Sequence, residues 1–343
     1  MSNSMKAIAL YDSFGINHLQ LIEQTDPTLE PNQVQVKLQA VSLNYVDLLV
    51  IKGVINPNLT LPYIPVCDGA GVVERVGADV TTFKPGDKVA TTFIPDWIDG
   101  KPTEENNSDT IRPGLGTVPG QLSDSKVFSV NQLVHSPANL SAIEASTLPI
   151  AGLTAWNALQ YGNLQSGETV LLHGTGGVSI FALQFAKALG ARVIITSSSD
   201  DKLKRAQQLG ADIPINYKTT PDWETVVRHV TDSKGVDIVI ETVGGSNLQR
   251  SLNVVQMGGH ISVMGLIDNS NASISTLTLM QRQATIKGME VGSTQDFRAM
   301  NQAIEAHNIH PVIDKVFPFE QTKAAFEYLE QGLHFGKVVI TLE

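Results

Sequence analysis

The run Thr169-Val-Leu-Leu-His173-Gly174-Thr-Gly176-Gly177-Val178-Ser179 concentrates the residues whose types and spacing point to one chemistry. An apolar strand runs into Gly174, Gly176 and Gly177, and a helical pattern begins at once. The first glycine permits a tight turn, and the second lets the backbone approach a pyrophosphate. The helix N-terminus offers unpaired N–H groups and the positive end of its dipole. Ser179 stands at the third glycine position and is small enough for close helix–strand packing. Alone, the run also reads as an ordinary tight turn. The strand before it, the helix after it and the same rhythm on either side favour a nucleotide.

The second strand of this rhythm, Arg192–Thr196, ends in Ser197-Ser198-Ser199. A site for NAD wants Asp or Glu at that tip to bond the ribose hydroxyls. Here the acids Asp200 and Asp201 come later, where they cap the next helix. Hydroxyls followed by Lys202, Lys204 and Arg205 suit a 2′-phosphate, so NADP(H) is favoured over NAD(H). The competing reading is a serine-rich turn with solvated lysines.

These residues need a parallel sheet to hold them. Strands Thr169–His173, Arg192–Thr196, Val236–Glu241 and His260–Met264 alternate with helices Gly177–Leu189, Asp200–Leu209 and Asn247–Gln256, which implies right-handed βαβ units. Residues 1–130 differ: short β-like runs such as Val34-Gln35-Val36-Lys37-Leu38 alternate in polarity and are punctuated by turns such as Lys84-Pro85-Gly86-Asp87. They read as a small all-β barrel or sandwich. Residues 93–120, polar and rich in Pro and Gly, read as an exposed loop. Residues 293–343 return to a mixed texture, with helices over Phe297–His307 and Phe319–Gln331, an extended run Val312–Pro318 and a last strand Val338–Leu342. The expected division is therefore 1–130, 131–292 and 293–343.

With 42% hydrophobic residues in 343, the chain has a full core, and a net charge of −10 argues against a nucleic-acid or anionic membrane surface. No apolar stretch approaches the roughly 20 residues of a membrane span, and the N-terminus carries no signal pattern. The single cysteine, Cys67, precludes an internal disulfide and fits a reducing cytoplasm.

Five further segments, in order, carry a resemblance. They are Asn44-Tyr45-Val46-Asp47; the glycine- and valine-rich run from Pro65-Val-Cys67-Asp68 to Gly77; Phe83-Lys84-Pro85-Gly86-Asp87-Lys88-Val89; Leu148-Pro149-Ile150-Ala151-Gly152-Leu153-Thr154-Ala155; and Phe335-Gly336-Lys337-Val338-Val339. With the Gly174 loop, nearly the whole chain resembles the medium-chain dehydrogenase/reductases, in the zinc-independent branch that contains the quinone oxidoreductases. The resemblance implies an α/β chain. A Rossmann domain with a doubly wound parallel sheet is joined to a GroES-like β-barrel domain formed by the N-terminal part and the C-terminal tail. Substrate is expected in the cleft between them.

By the same resemblance Thr154 contacts the nicotinamide end, Lys202 lies near the adenosine ribose, and Ser197 stands where NAD-specific members carry Asp. Tyr217 matches a tyrosine that touches the 2′-phosphate, with Ser198 beside Ser197 at the strand tip. Val243, Gly265 and Leu266 line the nicotinamide, and Phe335 and Lys337 belong to the tail that closes over it. Asn44 and Asp47 orient the ribose or substrate, although Asp47 equally suits a helix cap. Tyr45 is a proton donor or oxygen anchor, or else an aromatic wall. His173 is expected to pack near the adenine or the core. Relatives commonly dimerise through the sheet edge, here Ala284–Val291 with Ile261–Leu266 beside it, so a homodimer is expected.

The departures from the zinc-dependent relatives concern the ligands. The positions that hold catalytic zinc in those relatives match Asn44, Cys67 and Ile150, and residues 93–120 contain no cysteine. No metal site is expected. Without a Lewis acid, hydride delivery to a conjugated acceptor such as a quinone or enone is favoured over simple alcohol oxidation, because that substrate delocalises its own charge. The rival readings are a zinc-type alcohol dehydrogenase homologue acting on alcohols or aldehydes, and a non-catalytic NADPH-binding structural or sensor protein.

Overall fold

The computed structural model describes residues 4–25, 28–106 and 112–342. In chain order the strands and helices begin with β1 (Ser4–Leu10), β2 (Leu19–Thr25), β3 (Gln33–Leu43), α1 (Tyr45–Ile51), β4 (Asp68–Val76), β5 (Lys88–Thr91), β6 (Ser125–Ser129), β7 (Leu133–His135) and α2 (Ala142–Ala145). One turn of π-helix, Leu148–Gly152, leads into α3 (Leu153–Tyr161). Then come β8 (Thr169–His173), α4 (Gly177–Ala188), β9 (Arg192–Ser197), α5 (Asp200–Gln208), β10 (Ile213–Asn216), α6 (Trp223–Val230), β11 (Val236–Glu241), α7 (Asn247–Val254), β12 (Val255–Val263), α8 (Thr276–Arg282) and β13 (Thr285–Gly288). The chain ends with α9 (Thr294–Ala306), β14 (Ile313–Pro318), α10 (Thr322–Glu330) and β15 (Lys337–Thr341). Among the described residues no helix is long and apolar enough to cross a membrane.

Two compact units result, one of residues 1–153 with 291–343 and one of residues 154–290. The expected junctions at 130/131 and 292/293 thus shift to 153/154 and 290/291. Residues 131–153 stay with the first unit because β7 pairs antiparallel with β5 and the π-turn amide of Ile150 reaches Asp68.

The first unit is built on a seven-stranded sheet in the order β14-β15-β3-β4-β5-β7, with β6 also paired to β3; β1 and β2 form a separate hairpin. β3 is the hub. It pairs antiparallel with β4, β6 and β15, so the alternation that predicted a half-buried strand gives way to near-complete burial. Buried Gln35 is satisfied by its bonds with Ser125 and Arg75. Leu38, Val41, Phe128, Phe326 and Ile340 belong to this unit's core.

Residues 93–120 are less exposed than their composition predicts. Phe93, Ile94, Trp97 and Leu115 are buried. The backbone amides of Thr294 and Gln295, opening α9, donate to the carbonyls of Trp97 and Ile98. Further along, the Tyr63 hydroxyl donates to Val118 O at 2.7 Å, and Lys126 Nζ donates to the carbonyls of Pro119 and Gly120. Residues 107–111 of this expected loop lie outside the described residues.

The second unit is a six-stranded, all-parallel sheet in the order β10-β9-β8-β11-β12-β13. This is the doubly wound order in which the chain reverses direction beside the first strand, at β8/β11. β8, β9 and β11 are nearly all buried because helices cover both faces of such a sheet. Leu171, Ile194, Trp223 and Val239 are among its core residues. α7 stops at Val254, short of the expected Gln256, and β12 begins at once with Val255 paired to Val236. Gly258 and Gly259 therefore lie inside a strand rather than ending a helix.

Candidate functional site

At the carboxyl end of β8, Gly174 takes a φ of +74°, the left-handed value that glycine adopts without strain. Gly176 differs: its φ of −76° and ψ of −179° suit any residue. A Cβ built there would meet no atom of the described residues within 4 Å. Nothing in the packing of the described residues calls for glycine at 176. The bare backbone and open space lie at the N-terminus of α4, beside Gly177 and Val178, which is the arrangement a pyrophosphate needs. Ser179 is more than a small substitute, since its buried hydroxyl donates to His173 O at 2.7 Å and pins the first turn of α4 to β8.

β9 carries the other end of the site. Ser197 is its last residue and is buried. The Tyr217 amide donates to Ser197 O at 3.1 Å, which seats an exposed tyrosine immediately beside that serine. Ser198 follows, and Ser199 caps α5 by accepting from the Lys202 amide at 3.4 Å. Asp200 is engaged by the Asn216 amide group at 2.7 Å, and Asp201 pairs with Lys204 at 3.6 Å. The structure thus brings Ser197, Ser198, Lys202 and Tyr217 to one corner of the second unit.

Val243, Gly265 and Leu266 follow the tips of β11 and β12. Gly265 is dictated by packing, because a Cβ there would lie 1.8 Å from the carbonyl carbon of Thr242. Leu266 is exposed. Thr154 is buried and its hydroxyl donates to Glu290 O, closing the two ends of the unit on one another.

In the first unit a second group of predicted residues meets. Asn44 precedes α1, and its amide N–H donates to Asp47 Oδ2 at 2.7 Å. The other oxygen of Asp47 accepts from the Cys67 amide at 2.9 Å, so the helix-capping alternative for Asp47 is filled. The Asn44 side chain turns elsewhere: Nδ2 donates to Asp68 Oδ2 at 2.8 Å, and Oδ1 accepts from Lys337 Nζ at 2.6 Å. Lys337 also donates to Leu43 O at 2.8 Å. Asp68 Oδ1 is buried with no hydrogen-bond partner among the described residues. Phe335 is buried two residues before Lys337, and Tyr45, at the start of α1, is exposed.

Burial dominates the electrostatics of this cluster. It raises the Asp68 carboxyl to about 7, against the pull of Lys337 and Asn44 in the other direction. It also raises Asp47 and lowers Lys337. Burial, with the charges of Asp47 and Asp68, holds the Cys67 thiol protonated, its pKa well above the usual value.

This donor set does not fit a zinc ion. Zinc needs three protein ligands, with any cysteine as thiolate. Asn44 is committed on both side-chain atoms, Cys67 is a neutral thiol, Ile150 has no donor in its side chain, and the Lys337 ammonium already places a positive charge there. Among the described residues no group of three or more His, Cys, Asp or Glu side chains could hold a metal.

Sequence reasoning left His173 as a packing residue and did not identify Glu241, Ser251 or Thr196. The structure joins all four in one buried hydrogen-bonded network at the carboxyl ends of β8, β9 and β11. A polar residue at the last position of each of two buried strands was the available signal.

Comparison with known proteins agrees with this architecture. Residues 30–138 match the alcohol dehydrogenase GroES-like domain, and residues 177–306 match the zinc-binding dehydrogenase family. A zinc-type alcohol dehydrogenase-like protein of Schizosaccharomyces pombe is 44% identical over 323 residues, 92% of either chain. A quinone oxidoreductase of Lama guanicoe is 29% identical over 99% of this chain and 98% of its own. The crystal structure of a Sinorhizobium meliloti chain, assigned as an alcohol dehydrogenase, superposes with a TM-score of 0.93 at 40% identity, covering 99% of each.

Proposed function

Because this chain belongs to the medium-chain dehydrogenase/reductase superfamily and is an NAD(P)H-dependent oxidoreductase, we propose that it is an NADPH-preferring, zinc-free reductase of quinones, enones or related carbonyls. The cofactor choice rests on one observation. Ser197, not a carboxylate, ends β9, and the Tyr217 amide is docked on its carbonyl. A 2′-phosphate at that corner meets a serine rather than an acid at the end of β9, with Lys202 on the adjoining first turn of α5, where Asp200 is held by Asn216 and Asp201 pairs with Lys204.

The acceptor class rests on the buried Asn44–Lys337–Asp68 group. When bound, the reduced dinucleotide supplies the hydride. The chain's own residues hold the reactants: the Gly176 backbone and the N-terminus of α4 receive the pyrophosphate, and Thr154, Val243 and Leu266 border the nicotinamide end. Among the described residues no set stands ready to stabilise an isolated alkoxide through a metal, whereas a quinone or enone spreads the incoming charge over its own conjugated system. Tyr45, exposed at the start of α1, is the proposed proton donor or oxygen anchor.

The similarity to the S. pombe zinc-type alcohol dehydrogenase-like protein supports a second reading, oxidation of alcohols or reduction of aldehydes in the zinc-type manner. A single screen separates the two. Purified protein is given NADPH or NADH with a panel of quinones, enals and simple ketones, and NADP+ or NAD+ with alcohols, each with and without chelator or added zinc. We expect NADPH oxidation by quinones or enals that is indifferent to chelator. Alcohol turnover that requires zinc overturns the proposal.

A further inference from the structure

The last residues of the buried strands β8 and β11, Thr196 of β9 and Ser251 of α7 form an unbroken polar chain. Thr196 Oγ1 lies 3.2 Å from His173 Nδ1, and His173 Nε2 lies 3.0 Å from Ser251 Oγ. Ser251 Oγ lies 2.5 Å from Glu241 Oε2. Glu241, fully buried, also accepts from the amides of Val243 and Gly244 at 2.9 and 3.1 Å, and from Asn247 Nδ2 at 2.8 Å.

The direction of each bond in the chain follows from this donor inventory. Glu241 faces three N–H donors, the environment of a carboxylate, so the Ser251 proton points to it. Ser251 Oγ then has only acceptor capacity for His173, which requires the proton on Nε2. Nδ1 is left as an acceptor, and Thr196 donates to it. Burial disfavours the imidazolium; Glu241 acts in the opposite sense, and Arg250 adds to the effect of burial. The ring is further fixed edge-on against Trp223, centroids 5.1 Å apart. The main-chain oxygen of His173 accepts from Ser179 and Thr242 hydroxyls, each at 2.7 Å.

Each strand end so joined lies within two residues of a part of the cofactor site. Gly174 follows His173, Ser197 follows Thr196, and Val243 lies two residues beyond Glu241. We propose that His173 is a positioning residue for the dinucleotide: a neutral, Nε2-protonated imidazole that links the tips of β8, β9 and β11 into one frame, so that pyrophosphate, ribose and nicotinamide segments keep a fixed mutual spacing. This rests on the dinucleotide reading of the site. A site assembled from three separate turns loses affinity when one moves by a fraction of an ångström, and buried hydrogen bonds of defined direction are the usual means of preventing that.

The test uses Thr196→Val and Ser251→Ala, which delete one hydroxyl each at near-constant shape, alone and combined. NADPH and NADH binding is read by protein fluorescence and thermal midpoint is read in parallel. ¹⁵N spectra of histidine-labelled protein report which ring nitrogen carries the proton. We expect the Nε2–H form in the unaltered protein, each single variant three- to tenfold weaker in dinucleotide binding, and a double variant well short of the product, because both act through one ring. A purely structural role lowers the midpoint and leaves affinity unchanged; that result overturns the proposal, as does an Nδ1–H or doubly protonated ring. If the unaltered protein binds dinucleotide and the variants bind equally well, only the positioning role falls. If it binds neither dinucleotide, the cofactor reading falls and takes this proposal with it.

Discussion

Lys337 Nζ lies 2.6 Å from Asn44 Oδ1, and this contact decides which way the asparagine amide points. With its oxygen turned to the ammonium, Nδ2 donates to Asp68. Lys337 is buried, so replacing its ammonium takes a donor away from both Leu43 O and Asn44 Oδ1. Lys337→Met should therefore cost about 3 kcal/mol in urea denaturation, the range for buried polar groups stripped of a partner. A cost below about 1 kcal/mol would show that water replaces the ammonium.

Asp68 gives stability a pH dependence of definite sign. Burial raises its folded-state pKa to about 7, above the unfolded value of 3.8. Between those values the folded state holds a proton that the unfolded state has lost. The stability this proton contributes is complete below the unfolded pKa and disappears as pH rises through the folded one. The slope from this group approaches about 1.4 kcal/mol per pH unit. Asp68→Asn should flatten the decline between pH 5 and about 7 when both proteins are denatured across that range. Parallel curves would mean that Asp68 is ionised throughout.

The glycine run, the βαβ order and the serine tip of β9 were legible because each is a local pattern: a strand period, a helix period and turn residues between them. The Asn44–Lys337 contact was not, since its partners lie 293 positions apart and only the antiparallel pairing of β15 with β3 brings them together. The Glu241–His173–Ser251 chain escaped for the same reason. Val255 was misassigned to a helix because apolar residues continue the α7 pattern through it, and its true partner, Val236, lies on another strand. The first domain boundary moved because β7 is only three residues long and shows its allegiance through pairing rather than pattern.

Gly176 and Gly265 should behave oppositely. Alanine at 265 would drive its Cβ into the Thr242 backbone, so Gly265→Ala should lose about 3 kcal/mol and shift the Val243 segment. Alanine at 176 meets no atom of the described residues within 4 Å and fits the observed dihedrals. Gly176→Ala should keep its stability within about 0.5 kcal/mol yet bind dinucleotide at least about tenfold more weakly, as a methyl group fills the space for the pyrophosphate. Unfolding curves and fluorescence titration of both variants check this. Undiminished binding by Gly176→Ala would remove the loop from the cofactor site.

Among the described residues β13 pairs only with β12, and the nearby helix α8 exposes Leu277 and Met280. An open strand edge beside apolar side chains invites a second copy. Light scattering at tens of micromolar should give about twice the 36.9 kDa chain mass. Leu277→Glu with Met280→Glu should return it to the single chain. A monomeric unaltered protein ends the argument.

Cofactor choice comes down to the corner where the Tyr217 amide meets Ser197 O. A phosphate bound there gains charge-assisted hydrogen bonds of roughly 1.5 to 3 kcal/mol, or about one to two decades of affinity. NADPH should bind at least about tenfold more tightly than NADH. Ser197→Asp places a carboxylate against the phosphate and offers an acceptor to ribose hydroxyls, so the preference should invert. Lys202→Ala should weaken both dinucleotides, NADPH more, and the difference should shrink as salt screens the attraction. Fluorescence titrations at two ionic strengths measure all four quantities. Equal affinities in the unaltered protein would reduce the serine cluster to a turn and leave the 2′-phosphate without a site.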